Sequence, residues 1–184
     1  MPALILPYKG RQPTIAPDVF VAENAVITGD VVIGPQSSIW YGCVLRGDVN
    51  FIRVGERTNI QDGSIVHVTR EKWPTLIGSN VTVGHGAILH GCTLEDDSFV
   101  GMGATVMDGV VVESGAMVAA GALVTPGKRV VRGQLWGGSP ARLLRPLSEE
   151  EIAYFAVSAA HYAELGWEYI LESRNYDPGR NVTP

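Results

Sequence analysis

The chain has 184 residues, a formal net charge of −5 and 18% charged residues. With so little positive charge it offers no basic surface for nucleic acid or an anionic membrane, and no apolar run approaches the length of a membrane span. The length suits one domain with a sizeable core and an appendage. Because the start has no convincing signal-peptide pattern and both cysteines fall at repeat positions that favour small buried residues, we expect a cytoplasmic location.

Residues 1–14 form an N-terminal segment, and a six-residue repeat runs through residues 15–146. Each unit opens with an aliphatic residue and has a small residue or valine four positions later. In the first part of the repeat the opening residues are Ile15, Val21, Ile27, Ile33, Ile39, Leu45, Val54, Ile60 and Val66. After a longer interruption they are Ile77, Val83, Leu89, Leu94, Val100, Val106, Val112, Val118 and Val124. Hexapeptide periodicity is typical of parallel β-helices, whereas amphipathic helices follow a 3.6-residue period.

Three hexapeptides form one triangular coil of such a solenoid, so about 18 residues climb one strand spacing of ~4.8 Å. The opening aliphatic residue of each unit fills the narrow interior, and the residue four positions later must be small to fit beside it. We therefore predict an all-β solenoid, a parallel β-helix of hexapeptide repeats. Left-handed winding is expected from resemblance to known hexapeptide solenoids, since the usual crossover preference is right-handed.

The chain changes character after Pro146, and residues 147–174 carry the signals of an α-helix packed along the solenoid. Ser148 and Glu151 form a predicted capping box at its start. The apolar residues at helical spacing are Ile152, Phe155, Ala156, Ala159, Tyr162 and Ala163. Gly166 is expected to interrupt this helix, and residues 175–184 to form a tail that frays or reaches a neighbour.

Three of the four histidines lie close together in the repeat. His67 and His90 each directly follow the opening aliphatic residue of the same face, so we expect them to stack one coil apart. His85 stands two positions after Val83 on another face, at a different corner of the prism. Three imidazoles with one open position make a catalytic zinc site, and a symmetric neighbour could bring His85 to the other two. A heterologous contact that closes as a ring predicts a homotrimer with metal between its subunits.

The same assignment of faces predicts an ion pair between subunits. Arg46 follows the opening residue Leu45 and falls beneath the two stacked histidines, while Asp62 lies one coil below His85. The packing that joins the histidines would therefore lay Asp62 of one chain beside Arg46 of the next, as a charge-assisted pair.

Short motifs spread along the repeat resemble those of the gamma-class carbonic anhydrase family. They are Arg46-Gly47-Asp48-Val49, Asn59-Ile60-Gln61-Asp62-Gly63-Ser64, His67, Gly84-His85 and Leu89-His90-Gly91-Cys92. More narrowly, the chain resembles the bacterial gamma-carbonic-anhydrase-like branch with a short active-site loop, and the likeness covers nearly the whole chain. The resemblance implies a trimer in which two metal ligands come from one subunit and the third from the next.

The resemblance also implies roles for individual residues at the metal. His67, His85 and His90 match the ligands, and three imidazoles accept Zn²⁺ but also Fe²⁺ or Co²⁺. Gln61 matches a residue that hydrogen-bonds metal-bound water or hydroxide. Asn59 matches a second polar group near the substrate.

Further matches lie around the boundary between subunits. Arg46 and Asp62 match the intersubunit ion pair, and Asp48 matches a partner that helps to hold the arginine. Tyr162 matches an aromatic residue of the C-terminal helix that can approach the site. His161 departs from the pattern, because relatives often carry asparagine beside that tyrosine. No organic cofactor is implied.

The implied reaction is the reversible hydration of CO₂ to bicarbonate. A metal held by three histidines lowers the pKa of bound water, and the resulting hydroxide attacks CO₂. Two departures from the archetypal enzyme predict weak activity. Val49 replaces a glutamate, and the loop from Val68 to Leu76 is short, with Glu71 as its sole carboxylate. Lack of a proton shuttle costs about 10²–10⁴-fold in rate.

Two other functions remain open at this point. The same prism supports acyl-CoA chemistry in other proteins, so the chain could be an acyltransferase or a metal-dependent thioesterase. Acyltransferases of this fold commonly use a single histidine base, which argues against transfer more than against hydrolysis. A non-catalytic metal-binding scaffold would keep the metal and the trimer without turnover of CO₂. Turnover of CO₂ or of acyl-CoA esters distinguishes these functions.

Overall fold

A computed structural model of the chain describes residues 3–175, which form a β-solenoid of about seven turns followed by a single C-terminal helix. The predicted solenoid of hexapeptide repeats with a C-terminal helix is therefore confirmed. The strands are β1 (Leu4–Leu6), β2 (Thr14–Ile15), β3 (Phe20–Val21), β4 (Val26–Ile33), β5 (Ser38–Ile39), β6 (Val44–Val54), β7 (Asn59–Ile60), β8 (Ile65–His67), β9 (Thr75–Ile77), β10 (Thr82–Val83), β11 (Ile88–His90), β12 (Thr93–Leu94), β13 (Phe99–Val100), β14 (Thr105–Val106), β15 (Val111–Val112), β16 (Met117–Val118), β17 (Leu123–Val124), β18 (Arg129–Val130), β19 (Gln134–Gly138) and β20 (Ala141–Pro146), and α1 spans Glu149–Asn175. Of the predicted tail, residues 176–184 lie outside the described part of the chain.

Strands of successive coils stack in parallel and give the solenoid three faces. Face A consists of β1, the first parts of β4 and β6, and then β8, β11, β14 and β17. Face B consists of β2, the second parts of β4 and β6, and then β9, β12, β15 and β18. Face C consists of β3, β5, β7, β10, β13, β16 and β19, and β20 pairs antiparallel with β19 where the solenoid ends.

The interior is filled by the opening aliphatic residues of the repeat. On face A, Leu45, Val66 and Leu89 pair in register on successive coils, and all three are fully buried. The residues four positions later lie at the corners and are small because the coil turns there. Several of the polar residues at these corners bond to the backbone: the hydroxyl of Ser64, for example, donates to the carbonyl oxygen of Gly84 at 3.1 Å. The repeat therefore dictates both the apolar column and the corner hydrogen bonds.

The two cysteines are free and buried, as expected of small filling residues. Burial raises the pKa of the Cys43 thiol to about 11 and that of the Cys92 thiol to about 12. Both thiols therefore stay protonated at neutral pH and contribute to packing.

Strand β1 lies within the segment 1–14 that the repeat pattern left outside the solenoid. Leu4 pairs with Val26, so this strand adds a further layer to face A. The pattern missed it because one strand that is not followed by further units has no period to detect.

A pair of glycines brings β4 and β6 together at the corner that precedes the candidate site. Gly29 has a φ of +82°, and a Cβ there would lie 2.2 Å from the carbonyl oxygen of Gly47. Only glycine allows this approach. The contact holds the turn of β6 that carries Arg46 and Asp48.

Helix α1 packs against face C, where it contacts β3, β5, β7 and β10. It begins with the predicted capping box, in which the Glu151 N–H donates to Ser148 Oγ at 3.2 Å and the Ser148 N–H donates to the Glu151 carboxylate at 2.9 Å. Arg145 donates two further hydrogen bonds of 2.7 Å to that carboxylate. These contacts lower the pKa of Glu151 to about 2, and the hydrogen bond from Arg145 has the largest effect. No helix of the described residues has the length and apolar character needed to cross a membrane.

The expected interruption at Gly166 is wrong, because α1 continues through it to Asn175. Gly166 is buried, and a Cβ there would lie 3.3 Å from the Cβ atoms of Phe20 and Ser38. The glycine therefore lets the helix approach face C closely, and packing outweighs its low helix propensity.

Replacing this glycine with a large residue is expected to push the helix away from face C. Gly166→Leu inserts a side chain where the helix backbone lies close to the side chains of Phe20 and Ser38. We therefore expect a loss of about 1–3 kcal/mol in the free energy of unfolding. Ala153→Leu, at an exposed position of the same helix, is the matched control and should leave that free energy nearly unchanged. Urea unfolding of both variants measures the difference, and equal stabilities would contradict the close packing.

Candidate metal centre

Two of the three candidate ligands meet on face A. His67 and His90 are paired in register at the ends of β8 and β11. Their ring centroids are 5.1 Å apart, and His67 Nδ1 lies 3.1 Å from His90 Nε2. Two nitrogens bound to one tetrahedral Zn²⁺ at 2.0–2.1 Å are separated by about 3.3 Å. The spacing of the two rings therefore fits two ligands of one metal ion.

The other nitrogen of each ring lies against a carboxylate. His67 Nε2 is 3.0 Å from Asp48 Oδ1, and His90 Nδ1 is 3.0 Å from Asp108 Oδ1. A carboxylate oxygen only accepts, so each ring donates its N–H to the aspartate and turns its lone pair toward the other histidine. We call these four residues the two-histidine half-site.

The pKa shifts of this half-site agree with metal binding. Burial lowers the pKa of His67, although the hydrogen bond to Asp48 acts in the opposite direction. Burial by itself would raise the pKa of Asp48 and of Asp108, but hydrogen bonds from His67 to Asp48 and from Thr69 to Asp108 help to hold both below the ordinary value. At neutral pH the neutral imidazole of His67 therefore faces the ionised carboxylate of Asp48, the protonation state that metal ligation requires.

Asp108 is a site residue that the sequence analysis missed. It receives the His90 N–H and also the hydroxyl of Thr69, which belongs to the short loop after His67. A signal was present, because Asp108 stands two positions after Val106, which pairs with Leu89. The repeat therefore places Asp108 at the same corner as His90, one coil further along.

The short loop from Val68 to Leu76 is tied to this half-site. Its backbone closes a hairpin in which the Thr69 N–H donates to the Trp73 carbonyl at 2.9 Å. The side chain of Asn50 donates to the Thr69 carbonyl at 3.0 Å. Glu71 lines a cavity of about 300 Å³ to which Asp48 and Val49 also contribute. The sole carboxylate of the loop thus lies on a cavity that reaches the half-site.

The third candidate ligand lies at another corner. His85 Nδ1 is 2.8 Å from Asp62 Oδ2, and both side chains are about half exposed. Asp62 lies one coil below His85, as the repeat predicts, and we call this pair the one-histidine half-site. Within residues 3–175 of a single chain, no three His, Cys, Asp or Glu residues form a group able to hold a metal ion.

Arg46 and Asp62 also lie at separate corners and do not pair within the chain. The guanidinium of Arg46 hydrogen-bonds to Asp48, and 47% of its side chain is exposed. Asp62, which accepts from His85, is 41% exposed. Each charge is therefore available to a neighbouring chain.

Gln61 and Asn59 lie on face C under helix α1 and are almost completely buried. Gln61 Nε2 donates to Asn59 Oδ1 at 2.9 Å. Gln61 directly precedes Asp62 of the one-histidine half-site in the chain. Asn59 is deeper under the helix, and its hydrogen bonds join it to Gln61 and to the neighbouring strand β10.

Tyr162 packs on face C rather than on the two-histidine half-site. Its ring meets the edge of Trp40 at a centroid distance of 5.5 Å. Burial raises the pKa of Tyr162, and the negative charge of Asp62 raises it further, so the phenol lies near the one-histidine half-site. His161 is exposed, and its ring lies 5.5 Å from that of Tyr162.

Known proteins are similar to this chain in sequence, and family patterns match its repeat. It is 59% identical over 168 residues to gamma carbonic anhydrase 2, mitochondrial, of Arabidopsis thaliana, covering 89% of this chain and 60% of that protein. It is 45% identical over 166 residues to the carbonic anhydrase of Geobacillus kaustophilus, covering 90% of this chain and 91% of that one. The chain belongs to the gamma-class carbonic anhydrase family. Protein YrdA of Escherichia coli is 41% identical to this chain over 184 residues, covering 97% of this chain and 100% of that protein.

The chain spans about 60% of the length of the two Arabidopsis relatives, gamma carbonic anhydrases 1 and 2. The pattern of the family Bacterial transferase hexapeptide (six repeats) matches residues 12–47. That of Hexapeptide repeat of succinyl-transferase matches residues 74–107 and 92–126. These matches cover two parts of the repeat of this gamma-class chain, residues 12–47 and 74–126.

Solved structures share the solenoid. A hexapeptide transferase family protein from Anaplasma phagocytophilum is 52% identical, with a TM-score of 0.87 over 90% of this chain and 98% of that one. A hexapeptide-repeat acetyltransferase from Vibrio cholerae, complexed with acetyl coenzyme A, is 24% identical, with a TM-score of 0.52 over 64% of this chain and 71% of that one. The second likeness shows the fold alone, so it assigns no acyl transfer to this gamma-class chain.

Proposed function

We propose that this chain catalyses the reversible hydration of CO₂ to bicarbonate at a metal site between the subunits of a homotrimer. One subunit supplies His67 and His90, and the next supplies His85. The observation that carries the proposal is the two-histidine half-site, whose ring nitrogens face each other at 3.1 Å with a carboxylate behind each ring. This arrangement leaves room for a third protein ligand and an open position.

The position of the half-sites supports the trimer. They occupy different corners of one prism, so a single chain cannot close the site, whereas a heterologous ring joins unlike corners at every interface. Ile65 and Ile88 lie in register outside face A beside the two-histidine half-site and are 44% and 41% exposed. Met102, on the coil after His85, is 58% exposed. Apolar surface flanking each half-site suits a subunit interface.

The charged residues fit the same packing. Arg46 and Asp62 are each about half exposed and lie at opposite half-sites, so a ring brings them together once per interface. Asp48 then orients both Arg46 and His67, because its carboxylate accepts from each. The ion pair would fasten the interface and align the ligands.

Three neutral imidazoles suit Zn²⁺ and also Fe²⁺ or Co²⁺. When bound, such an ion acts as a Lewis acid that activates water toward CO₂. Around it, Asp48 and Asp108 keep the rings in the tautomer that ligation needs, and Gln61 offers a hydrogen-bonding group near the reacting oxygen. Tyr162 lines the side of His85. A proton leaves through solvent or the cavity that Glu71 lines, since Val49 has no titratable group.

The test is stopped-flow CO₂ hydration by anaerobically purified protein of measured metal content. We expect the rate to rise with occupancy by Zn²⁺, Fe²⁺ or Co²⁺ and to vanish in His85→Ala. Hydrolysis of acyl-CoA esters is measured on the same samples as the competing activity. Stoichiometric metal in an intact trimer without CO₂ hydration would contradict the proposal, and thioester turnover in those samples would replace it.

A further inference from the structure

A chain of hydrogen bonds connects Gln61 to helix α1. Gln61 Nε2 donates to Asn59 Oδ1 at 2.9 Å, and Asn59 Nδ2 donates to Thr82 Oγ1 at 3.0 Å. Thr82 Oγ1 in turn lies 3.0 Å from Ser158 Oγ on the helix. All four side chains are more than nine-tenths buried. We call this series the amide relay.

The hydrogen bonds of the relay fix which way the side-chain amide of Asn59 faces. Its Nδ2 also lies 3.4 Å from the carbonyl oxygen of Val81, which can only accept a hydrogen bond. The NH₂ group must therefore face β10, and Oδ1 must face Gln61. As a result Gln61 donates through Nε2, and its Oε1 is the atom left to accept from a ligand.

The outward-facing residues of face C that α1 covers change from aromatic to polar and back along the solenoid. The outward column that α1 covers runs in register through Phe20, Ser38, Asn59, Thr82 and Phe99. The two ends of the column are aromatic. Asn59 and Thr82 lie on the coils that carry Gln61 and His85, whereas Ser38, one coil earlier, accepts a hydrogen bond from Trp40 Nε1 at 3.0 Å. A purely structural column would be better served by apolar residues throughout, because buried polar groups stabilise only when they are paired.

Ser158 is likewise a buried polar residue between apolar neighbours, on helix α1. Its neighbours on the buried stripe, Phe155 and Ala159, are almost completely buried. A serine between them costs desolvation unless its hydroxyl is hydrogen-bonded, and that hydroxyl lies 3.0 Å from the hydroxyl of Thr82.

We infer that Ser158 and Thr82 are positioning residues, which act through Asn59 to make Gln61 present its carbonyl oxygen to the reacting centre. The inference deepens the proposed function and rests on it. An acceptor at that point selects an oxygen that bears a proton, so it favours the hydroxylic form of the nucleophile and bicarbonate over carbonate. The helix thus takes part in the site through hydrogen bonds, although it contributes no ligand.

The first measurement follows the side-chain amide of Gln61 itself. In ¹⁵N-labelled holoprotein, Ser158→Ala and Thr82→Val are expected to raise the hydrogen-exchange rate of the Gln61 side-chain NH₂ by about 3- to 10-fold, since the pairing of Asn59 loosens. Ser158→Thr keeps the hydroxyl and should restore protection. Ser37→Ala removes an equally buried serine hydroxyl, which bonds to Gly55, and serves as the control for lost stability.

The second measurement is the CO₂ hydration rate of the same variants. We expect Ser158→Ala and Thr82→Val to lower kcat by about 3- to 10-fold with KM unchanged, because the relay acts on the reacting oxygen rather than on substrate entry. Ser37→Ala should lower thermal stability but not kcat. Unchanged Gln61 exchange in Ser158→Ala overturns the inference. If the wild type shows no hydration, the proposed function fails while the exchange measurement still decides whether the relay orders Gln61.

Discussion

Mixed trimers of His85→Ala and His90→Ala subunits are expected to regain metal binding and CO₂ hydration that neither variant has by itself. In each homotrimer every interface lacks one ligand, so no site is complete. In a mixture, an interface is complete when a subunit with intact His67 and His90 meets a neighbour with intact His85. Random assembly of equal amounts completes about a quarter of the interfaces. Metal content and stopped-flow rate of the co-expressed trimers should both reach that fraction of wild type.

The matched control is a mixture of His67→Ala with His90→Ala. These two residues lie on the same half-site of the same chain, with ring nitrogens 3.1 Å apart. No arrangement of such subunits restores both ligands at one interface, so we expect no recovery. Recovery in this control, or its absence in the first mixture despite trimer formation, would show that the site is not shared between unlike corners.

Asp108→Asn is expected to weaken metal binding by about 10- to 100-fold, the usual effect of losing a carboxylate behind a histidine ligand. The aspartate accepts the His90 N–H at 3.0 Å, and a neutral amide holds that proton less firmly. It also no longer accepts reliably from Thr69. Competition with a chromophoric chelator measures Zn²⁺ affinity directly, without any assay of turnover.

Two further variants separate the role of Asp108 from general effects. Asp97→Asn makes the same change at a carboxylate that accepts from Asn80 on another part of the solenoid, and should leave metal affinity unchanged. Thr69→Val removes the loop's hydrogen bond to Asp108 but keeps the carboxylate, so a smaller loss of affinity is expected. Equal affinities for wild type and Asp108→Asn would show that His90 does not depend on Asp108 for its orientation.

The repeat allowed much of the solenoid to be predicted, because each coil meets its neighbour through the same contacts at nearly constant separation. Leu45, Val66 and Leu89 stack in register as the six-residue period indicates. Pairing of His67 with His90 in the same register follows from the same arithmetic. A local pattern is sufficient here, since the partner of each strand is always the corresponding strand one coil away.

The pattern was weaker where the chain leaves the repeat. Strand β1 adds to face A without a period of its own, and α1 continues through Gly166 because the glycine allows close contact with Phe20. Propensity alone favours a break at a glycine, but burial against face C reverses that preference. Neither outcome depends on a repeated contact.

By itself, the sequence determined the prism, its coils and the corners at which His67, His90 and His85 lie, because a solenoid converts sequence spacing directly into height and face. The tertiary structure decided which side chains join across those corners. Asp108 meets His90 through a turn of the next coil, and Ser158 meets Thr82 across 76 residues of chain. The repeat brings Asp108 to the same corner as His90, but the hydrogen bonds themselves depend on how the turns and the helix pack against many side chains at once.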